Sequence, residues 1–395
     1  MPWWVILLIS LFFCGVLVSQ SFLASSDILY YNFHARIFTH YHQNPYIASP
    51  ENYTGDSFCA FVCEGIWSNL TNNYGPLWFY MTLIPSYLAN NNYFLNIILM
   101  RLLAVFFFLG GSLLLYKILK TLNPVQAKTG FYLIIFNPLF IFETAVNGHN
   151  DAALLFFVIA AIYFVMQKKY TLTYLALLIS FLIKFVTLPI IAAYLIFLFC
   201  LKKKKKYLIF LILLGLTLVA TAYAPIWQGW ATLNGLITQN GMIHVYSNSP
   251  IFYFIRLLGQ SFFNFPAEIT KYLVIGLYGL VYLFLIKKYF LTDKISSNNF
   301  FQAGFNIIFF LIFIPLTWIM PWYFLWILPW AVINGQFKWL MAFTIIGIVS
   351  YVAPIWLSFT LFFIVSIPLL MKNDRKILIN QHFFFNSKAG NQRKN

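Results

Sequence analysis

Asp27 and a polar knot ending in Asp151 are the residues best suited to chemistry in this chain. Asp27 directly follows the first apolar stretch. A carboxylate at that water boundary can stay ionised and take a proton from a hydroxyl, although an interfacial anchor would occupy the same place. Asp151 closes Asn147-Gly148-His149-Asn150-Asp151, set between two apolar segments. Burying five such polar or flexible residues is costly, which favours a site over a plain turn. Glu143, at the end of the preceding apolar stretch, either shares that site or caps a helix end. His149 offers a proton carrier or a ligand, while a lone His beside Asn and Asp more often makes structural hydrogen bonds.

The cations form a second group. Arg101 and Lys184 are single charges inside apolar segments, and Arg256 lies on the amphipathic run from Ile251 to Leu258. An intramembrane cation is a functional candidate by default, yet both Arg101 and Lys184 could snorkel to the interface. All three cations are candidates for a lipid phosphate, and the planar guanidinium fork suits Arg101 and Arg256 to bidentate binding of it. The run Trp318, Trp322, Tyr323, Trp326 and Trp330 fits an aromatic interface belt, with sugar stacking as the less favoured use.

Elements that could position these residues must lie in a membrane. The chain has 395 residues, of which 62% are apolar and only 9% charged. Soluble domains carry about 25% charged residues, so a soluble enzyme, a disordered chain and a nucleic-acid-binding protein are all disfavoured. Apolar stretches near 3–23, 94–116, 129–144, 152–167, 170–186, 188–201, 207–224, 269–286, 302–320, 322–334, 339–353 and 355–371 predict an all-α polytopic membrane protein with about 12 transmembrane helices. The first stretch resembles a signal peptide but has no basic residues before it, so it is expected to be a retained helix.

The net charge of +16 then reads as topology. With both termini cytoplasmic, every Lys and Arg except Arg36, Arg101, Lys184, Arg256 and Lys271 falls on the cytoplasmic side. Asp27, Glu51, Asp56, Glu64, Glu143, Asp151 and Glu268 lie in or beside the opposite face, and only Asp293 and Asp374 do not. Carboxylates gathered on one face make the working face extracytoplasmic. The expected organisation is one integral membrane domain over 1–371 with a basic cytoplasmic tail over 372–395. Long extracytoplasmic loops over 25–93 and 225–268 carry interfacial helices. Within the first loop, Tyr74 to Leu88 is short and interrupted by Pro76 and Pro85, which predicts a re-entrant or interfacial segment. Cys59 and Cys63 share this loop and are either bridged or two unrelated thiols. Asn52-Tyr53-Thr54 and Asn69-Leu70-Thr71 are glycosylation sequons, relevant only in a host that glycosylates this face.

Asp27-Ile-Leu-Tyr30, Ala35-Arg36, Asn44-Pro45-Tyr46 and Tyr74-Gly75-Pro76-Leu77 resemble the first-loop signature of GT-C glycosyltransferases that use polyprenyl-phosphate sugars. The likeness is closest to bacterial polyprenol-phosphate-mannose-dependent α-mannosyltransferases. Asn137-Pro138-Leu139, Glu143 and Gly148-His149-Asn150-Asp151 fit the N-P-L, E and G-x-H-N-D pattern of that family without its intervening residue, and Pro321-Trp322-Tyr323, Trp326 and Pro329 fit its P-W-Y-x-x-W element. The catalytic subunit of GPI mannosyltransferase I is a more distant likeness, and Ser25 stands here for the first Asp of its D-x-D, so no metal ligand set is identified and a divalent metal stays open.

The resemblance implies a multi-pass membrane enzyme that moves a sugar, with mannose preferred, from a polyprenyl-phosphate donor to a glycan or lipid-linked acceptor. It implies Asp27 as general base. The expected site has Asp27 and Asp151 as catalytic carboxylates. Arg36, Glu143, His149, Asn150, Arg101, Lys184, Arg256, Trp322 and Tyr323 are the expected substrate contacts. The partners expected are the donor, the acceptor and membrane lipids, with no nucleic acid and no required cofactor. The host membrane is expected to be a bacterial plasma membrane, or that of the ER in a eukaryote. A secondary transporter or flippase would also carry intramembrane charges and broken helices, but its extramembrane loops are usually small.

Overall fold

The computed structural model describes residues 1–59, 62–63, 67–242, 249–263 and 265–352. The described residues are all-helical, with 76% of them in helix. The helices are α1 (Trp3–Val18), α2 (Asp27–Thr39), α3 (Pro76–Ala89), α4 (Tyr93–Leu122), α5 (Ala127–Ile135) and α6 (Pro138–Ile141), the last running on as a π-turn over Phe142–Val146. They continue as α7 (Asp151–Met166), α8 (Tyr170–Ile183), α9 (Leu188–Cys200), α10 (Lys205–Tyr223), α11 (Asn234–Met242) and α12 (Pro250–Phe263). After α13 (Ala267–Phe290) and α14 (Ser297–Phe313), a 3₁₀ run over Pro321–Ile327 leads to α15 (Leu328–Ile333) and α16 (Phe337–Val349).

Helix length does not support twelve spans. Among the described residues, three helices are long and apolar enough to cross a membrane: Tyr93–Leu122, Lys205–Ile226 and Ile269–Phe290. A fourth is reached if Ala127–Ile135 and Pro138–Val146, bent by 42°, count as one span. The shorter apolar helices, such as the 14-residue α8, rise about 21 Å against a hydrocarbon core of about 30 Å. The apolar stretches of the sequence are interrupted where polar or imino residues end a helix. Asn137-Pro138 breaks one, and Lys184, in extended conformation, ends α8. The last apolar stretch and the basic tail lie outside the described residues.

Packing separates an inner from an outer set. α7 buries Ala152, Ala153, Leu154, Leu155, Val158, Ile159, Ala161 and Ile162 around its circumference, as a fully interior helix does. Phe156 and Ile159 of α7 pack beside Gly111 of α4. By contrast, α10 exposes Ile209, Phe210, Leu213 and Leu216, and α13 exposes Leu280, Leu283 and Phe284. Apolar side chains in such rows are stable only against lipid or another apolar surface. The turns after α7 and α9 place Lys168 and Lys202 at φ +55°. There Lys169 N–H donates to Phe164 and Lys203 N–H to Leu198, which caps the open carbonyls of each helix end while the ammonium complements its dipole.

The described part of the first long loop is built from packed helices and turns. α3 is one continuous helix, with Pro76 at its first position, where no intrahelical N–H is needed, and Pro85 accommodated inside. Cys59 and Cys63 are joined in a disulfide with Cα atoms 5.1 Å apart. Arg36 lies over the Phe58 ring and donates to Asp56 at 2.6 Å and to Asn91 at 2.9 Å, while the Tyr41 hydroxyl also donates to Asp56. That shell holds the Asp56 carboxyl below its ordinary value against the opposing effect of burial. The loop is anchored to the end of α10 by Asn44, whose amide donates to the Ile226 carbonyl at 2.6 Å.

Candidate active site

Both aspartates sit at the first position of a helix, Asp27 on α2 and Asp151 on α7, where free amides and the helix dipole favour an anion. Asp27 Oδ2 accepts from the Tyr74 hydroxyl at 3.0 Å and faces the Tyr31 hydroxyl at 3.5 Å. Tyr31 is one turn along α2, and Tyr74 is placed by the Asn44-Pro45-Tyr46 segment. The Tyr46 hydroxyl donates to the Tyr74 carbonyl at 2.9 Å, and Asn72 N–H donates to Pro45 at 2.8 Å. The Asp27 side chain is 25% exposed. Burial pushes its carboxyl above the usual value, opposed by the Lys184 charge and the Tyr74 hydrogen bond.

The polar knot folds back toward Asp27. Asn137 caps α6 by accepting from Phe140 N–H at 3.0 Å and donates to Thr344 at 2.6 Å, so the N-P-L element is a helix cap. The π-turn that follows aims Glu143 inward, a local widening often found at functional positions. Gly148 turns the chain at φ +64°, where a Cβ would run into Ile28. His149, with no exposed surface, then presents Nδ1 to Asp27 Oδ2 at 3.6 Å and Nε2 to Glu143 Oε2 at 3.4 Å. Its ring stacks on Trp322 at 4.1 Å. Burial first, and the Lys184 charge second, hold the imidazole well below its ordinary value and therefore neutral. Glu143 also accepts from Asn147 at 2.8 Å and from the Tyr351 hydroxyl at 2.8 Å.

Asp151 is wholly buried and ion-paired with Lys184, whose Nζ lies 3.0 and 3.2 Å from its two oxygens. The Trp326 indole N–H donates to the same carboxylate. Lys184 keeps 16% of its side chain exposed and lies 5.3 Å from the ring centroids of both Tyr323 and Trp326, which stack on each other. Asn150 is buried, and both its amide oxygen and nitrogen lack a hydrogen-bond partner among the described residues.

The structure thus gathers Asp27, Glu143, His149, Asn150, Asp151, Lys184, Trp322 and Tyr323 into one region. The remaining expected contacts go elsewhere. Arg36 is used inside the first loop. Arg101, also buried, donates to the carbonyls of Val146, Val18, Gln20 and Phe22, which ties the end of α1 to the polar knot and leaves no fork for a phosphate. Arg256 lies half-buried on α12, beside exposed Tyr253, Phe254, Leu257 and Phe262. Tyr31 and Tyr351 are site residues that the sequence did not single out, and Tyr74 and Trp326 were given no site role of their own there. For Tyr31 the available signal was its i+4 spacing from Asp27, and for Tyr74 and Trp326 their places in the quoted motifs. Among the described residues, no group of three His, Cys, Asp or Glu side chains could hold a metal ion.

These features define a helical membrane protein with two helix-terminal carboxylates and a half-buried ammonium. Residues 9–201 match the family model described as alpha-(1->6)-mannopyranosyltransferase, N-terminal domain. The matched stretch contains Asp27, Glu143, His149, Asp151 and Lys184, and it supports glycosyltransferase activity with mannose. No curated protein matches the chain at a significant level.

Proposed function

We propose that the protein is a multi-pass membrane mannosyltransferase that moves mannose from a polyprenyl-phosphate donor to a glycan or lipid-linked acceptor on the extracytoplasmic face. The carrying observation is the convergence of a partly exposed carboxylate, Asp27, with a buried but open-edged ammonium, Lys184, whose charge reaches Asp27. Sugar transfer from a lipid phosphate needs these two functions.

The acceptor hydroxyl gives its proton to Asp27 as its oxygen forms a bond to the anomeric carbon. The bond from that carbon to the phosphate oxygen breaks, and the phosphate leaves with the electron pair. One displacement inverts the anomeric centre. The transition state is oxocarbenium-like, so charge grows on the departing phosphate, and Lys184 stabilises it more there than in the ground state. Asp151 and Trp326 hold Lys184 in place, and Tyr323 and Trp322 offer flat faces beside it. Arg256, on an amphipathic helix rich in exposed aromatic and aliphatic groups, is at a suitable place to meet a donor phosphate at headgroup depth. The short apolar helices would serve as spans where neighbouring helices cover their ends, which keeps a count near twelve and a single domain over 1–371 with its tail inside.

Purified protein incubated with radiolabelled polyprenyl-phosphate mannose and a membrane glycolipid extract should release polyprenyl phosphate and label the glycolipid. Label entering sealed proteoliposomes with the donor intact would overturn the enzyme reading and establish transport.

A further inference from the structure

The chain of contacts does not end at the base. Behind Asp27 lie His149 and then Glu143, with Oδ2 facing Nδ1 at 3.6 Å and Nε2 facing Oε2 at 3.4 Å. We propose that Glu143 and His149 are positioning residues for Asp27: a proton on Glu143 holds the imidazole in the tautomer whose Nδ1–H points at Asp27, and this sets the pH range in which Asp27 works as a base. The inference rests on the reading of Asp27 as the base.

All four facing atoms are acceptors unless they carry a proton, and two acceptors facing each other repel. Both His149 nitrogens are buried without a hydrogen-bond partner at these separations, and one proton on each edge is what would satisfy them. A buried neutral imidazole supplies one only, so a carboxyl must supply the other. Burial raises the Asp27 carboxyl as it does that of Glu143, but Asp27 alone of the two is a quarter exposed and has the Lys184 charge and the Tyr74 hydrogen bond opposing that rise. Glu143 has no exposed surface and receives only the neutral donors Asn147 and Tyr351. The second proton belongs on Glu143, between it and Nε2, and the ring proton belongs on Nδ1, facing Asp27. Trp322 fixes the ring plane, and the Gly148 turn with the His149 N–H bond to the Glu143 carbonyl at 2.9 Å fixes the register.

The charged and titratable groups around this row are few. Tyr31 faces Asp27 from its own helix, Tyr74 from the first loop, Lys184 and Asp151 from the ends of α8 and α7, and Tyr323 from the 3₁₀ run, while Tyr351 faces Glu143. Asp151 and Lys184 are paired with each other. Among the described residues that face Asp27, His149 is the neutral group whose other edge meets a second carboxyl, Glu143.

The test is the pH profile of kcat/KM for lipid-linked mannose. His149→Phe keeps the stack on Trp322 and removes the donor, so the acidic limb should move to higher pH. Activity at the wild-type half-maximal pH should fall about three- to tenfold and recover at alkaline pH. His149→Asn places an amide N–H near the Nδ1 position and should keep the limb in place; His149→Gln places its amide near Nε2 and should shift it. Glu143→Leu removes the proton held against Nε2 and should shift the limb in the same direction as His149→Phe. If His149→Phe does not fold, the Asn and Gln pair decides. A uniform loss at every pH with an unmoved limb in His149→Phe or His149→Gln would show a merely structural role and overturn the inference. So would an unmoved limb in Glu143→Leu. An active Asp27→Asn enzyme would instead overturn the reading of the base itself.

Discussion

Gly75 N–H donates to the Ile183 carbonyl at 3.1 Å, and at that approach a Cβ on Gly75 would overlap the Leu182 carbonyl. Tyr74, which holds Asp27, and Lys184, which pairs with Asp151, are the chain neighbours of these two residues. The first loop and the end of α8 are therefore one joint, and it positions the base relative to the ammonium.

Gly75→Ala should separate the two halves of the site. Gly75 has an ordinary φ of −63°, so space alone forbids a side chain there. A displacement near 1 Å can lower turnover about 10²-fold, and a loss of that order is expected. Gly55→Ala, where nothing lies within 4 Å of the added carbon, is the control and should be silent. Equal activity of the two variants in a donor-hydrolysis or transfer assay would disprove the joint.

Asp27→Asn retains shape and polarity but cannot take up a proton usefully. Turnover should fall by about 10² or more, while thermal stability and donor binding stay near wild type because Tyr74 can still donate to the amide oxygen. Near-normal turnover would move attention to Asp151.

The sequence makes some of this site legible and hides the rest for identifiable reasons. Asp27, Glu143, His149 and Asp151 stand out because ionisable groups are scarce in a chain with 9% charged residues. Tyr31, Tyr74 and Trp326 do not, since 25 Tyr and 12 Trp offer no contrast. Arg101 shows the opposite problem. As an intramembrane cation it reads as a ligand for phosphate, whereas its four carbonyl partners come from a helix end and from a turn far away in sequence. Apolar runs reveal that the chain is membranous and helical but not where a helix stops, because Lys184 and Asn137-Pro138 end helices inside runs that hydropathy alone joins together.

Lys184→Met leaves Asp151 buried with only the Trp326 donor, and an unpaired buried charge costs about 3 kcal/mol or more. The variant should lose both stability and turnover. Adding Asp151→Leu removes the stranded charge and should restore most of the melting temperature in detergent without restoring transfer. Recovery of transfer in the double variant would show that the ammonium has no part in the chemistry.

Arg101→Lys should behave as a structural lesion. An ammonium cannot reach the carbonyls of Val146, Val18, Gln20 and Phe22 together, so hydrogen bonds to a charged group are lost and about 2 kcal/mol of stability with them. KM for the lipid donor should not change in the protein that remains folded. A raised KM with unaltered thermal unfolding would instead return Arg101 to the substrate path.

His34 supplies a pH dependence that is independent of catalysis. It is 3% exposed, donates from Nε2 to the Leu70 carbonyl at 3.2 Å, and burial lowers its pKa from 6.5 to about 4. Above pH 6.5 the imidazole is neutral in both folded and unfolded protein, so its full stabilisation is present. As pH falls from 6.5 toward about 4, the unfolded chain takes up a proton that the folded one refuses, and stability is lost. The span corresponds to about 3 kcal/mol. His34→Gln keeps an amide donor for Leu70 but does not titrate. Its melting temperature should therefore decline less than that of the wild type between pH 7 and 4.5. His149 contributes in the same direction and Asp27 in the opposite one, but both are common to the two proteins and cancel in the comparison. Parallel declines in wild type and His34→Gln would show that His34 is hydrated or already charged when folded, and that the first loop is looser around Leu70 than its geometry indicates.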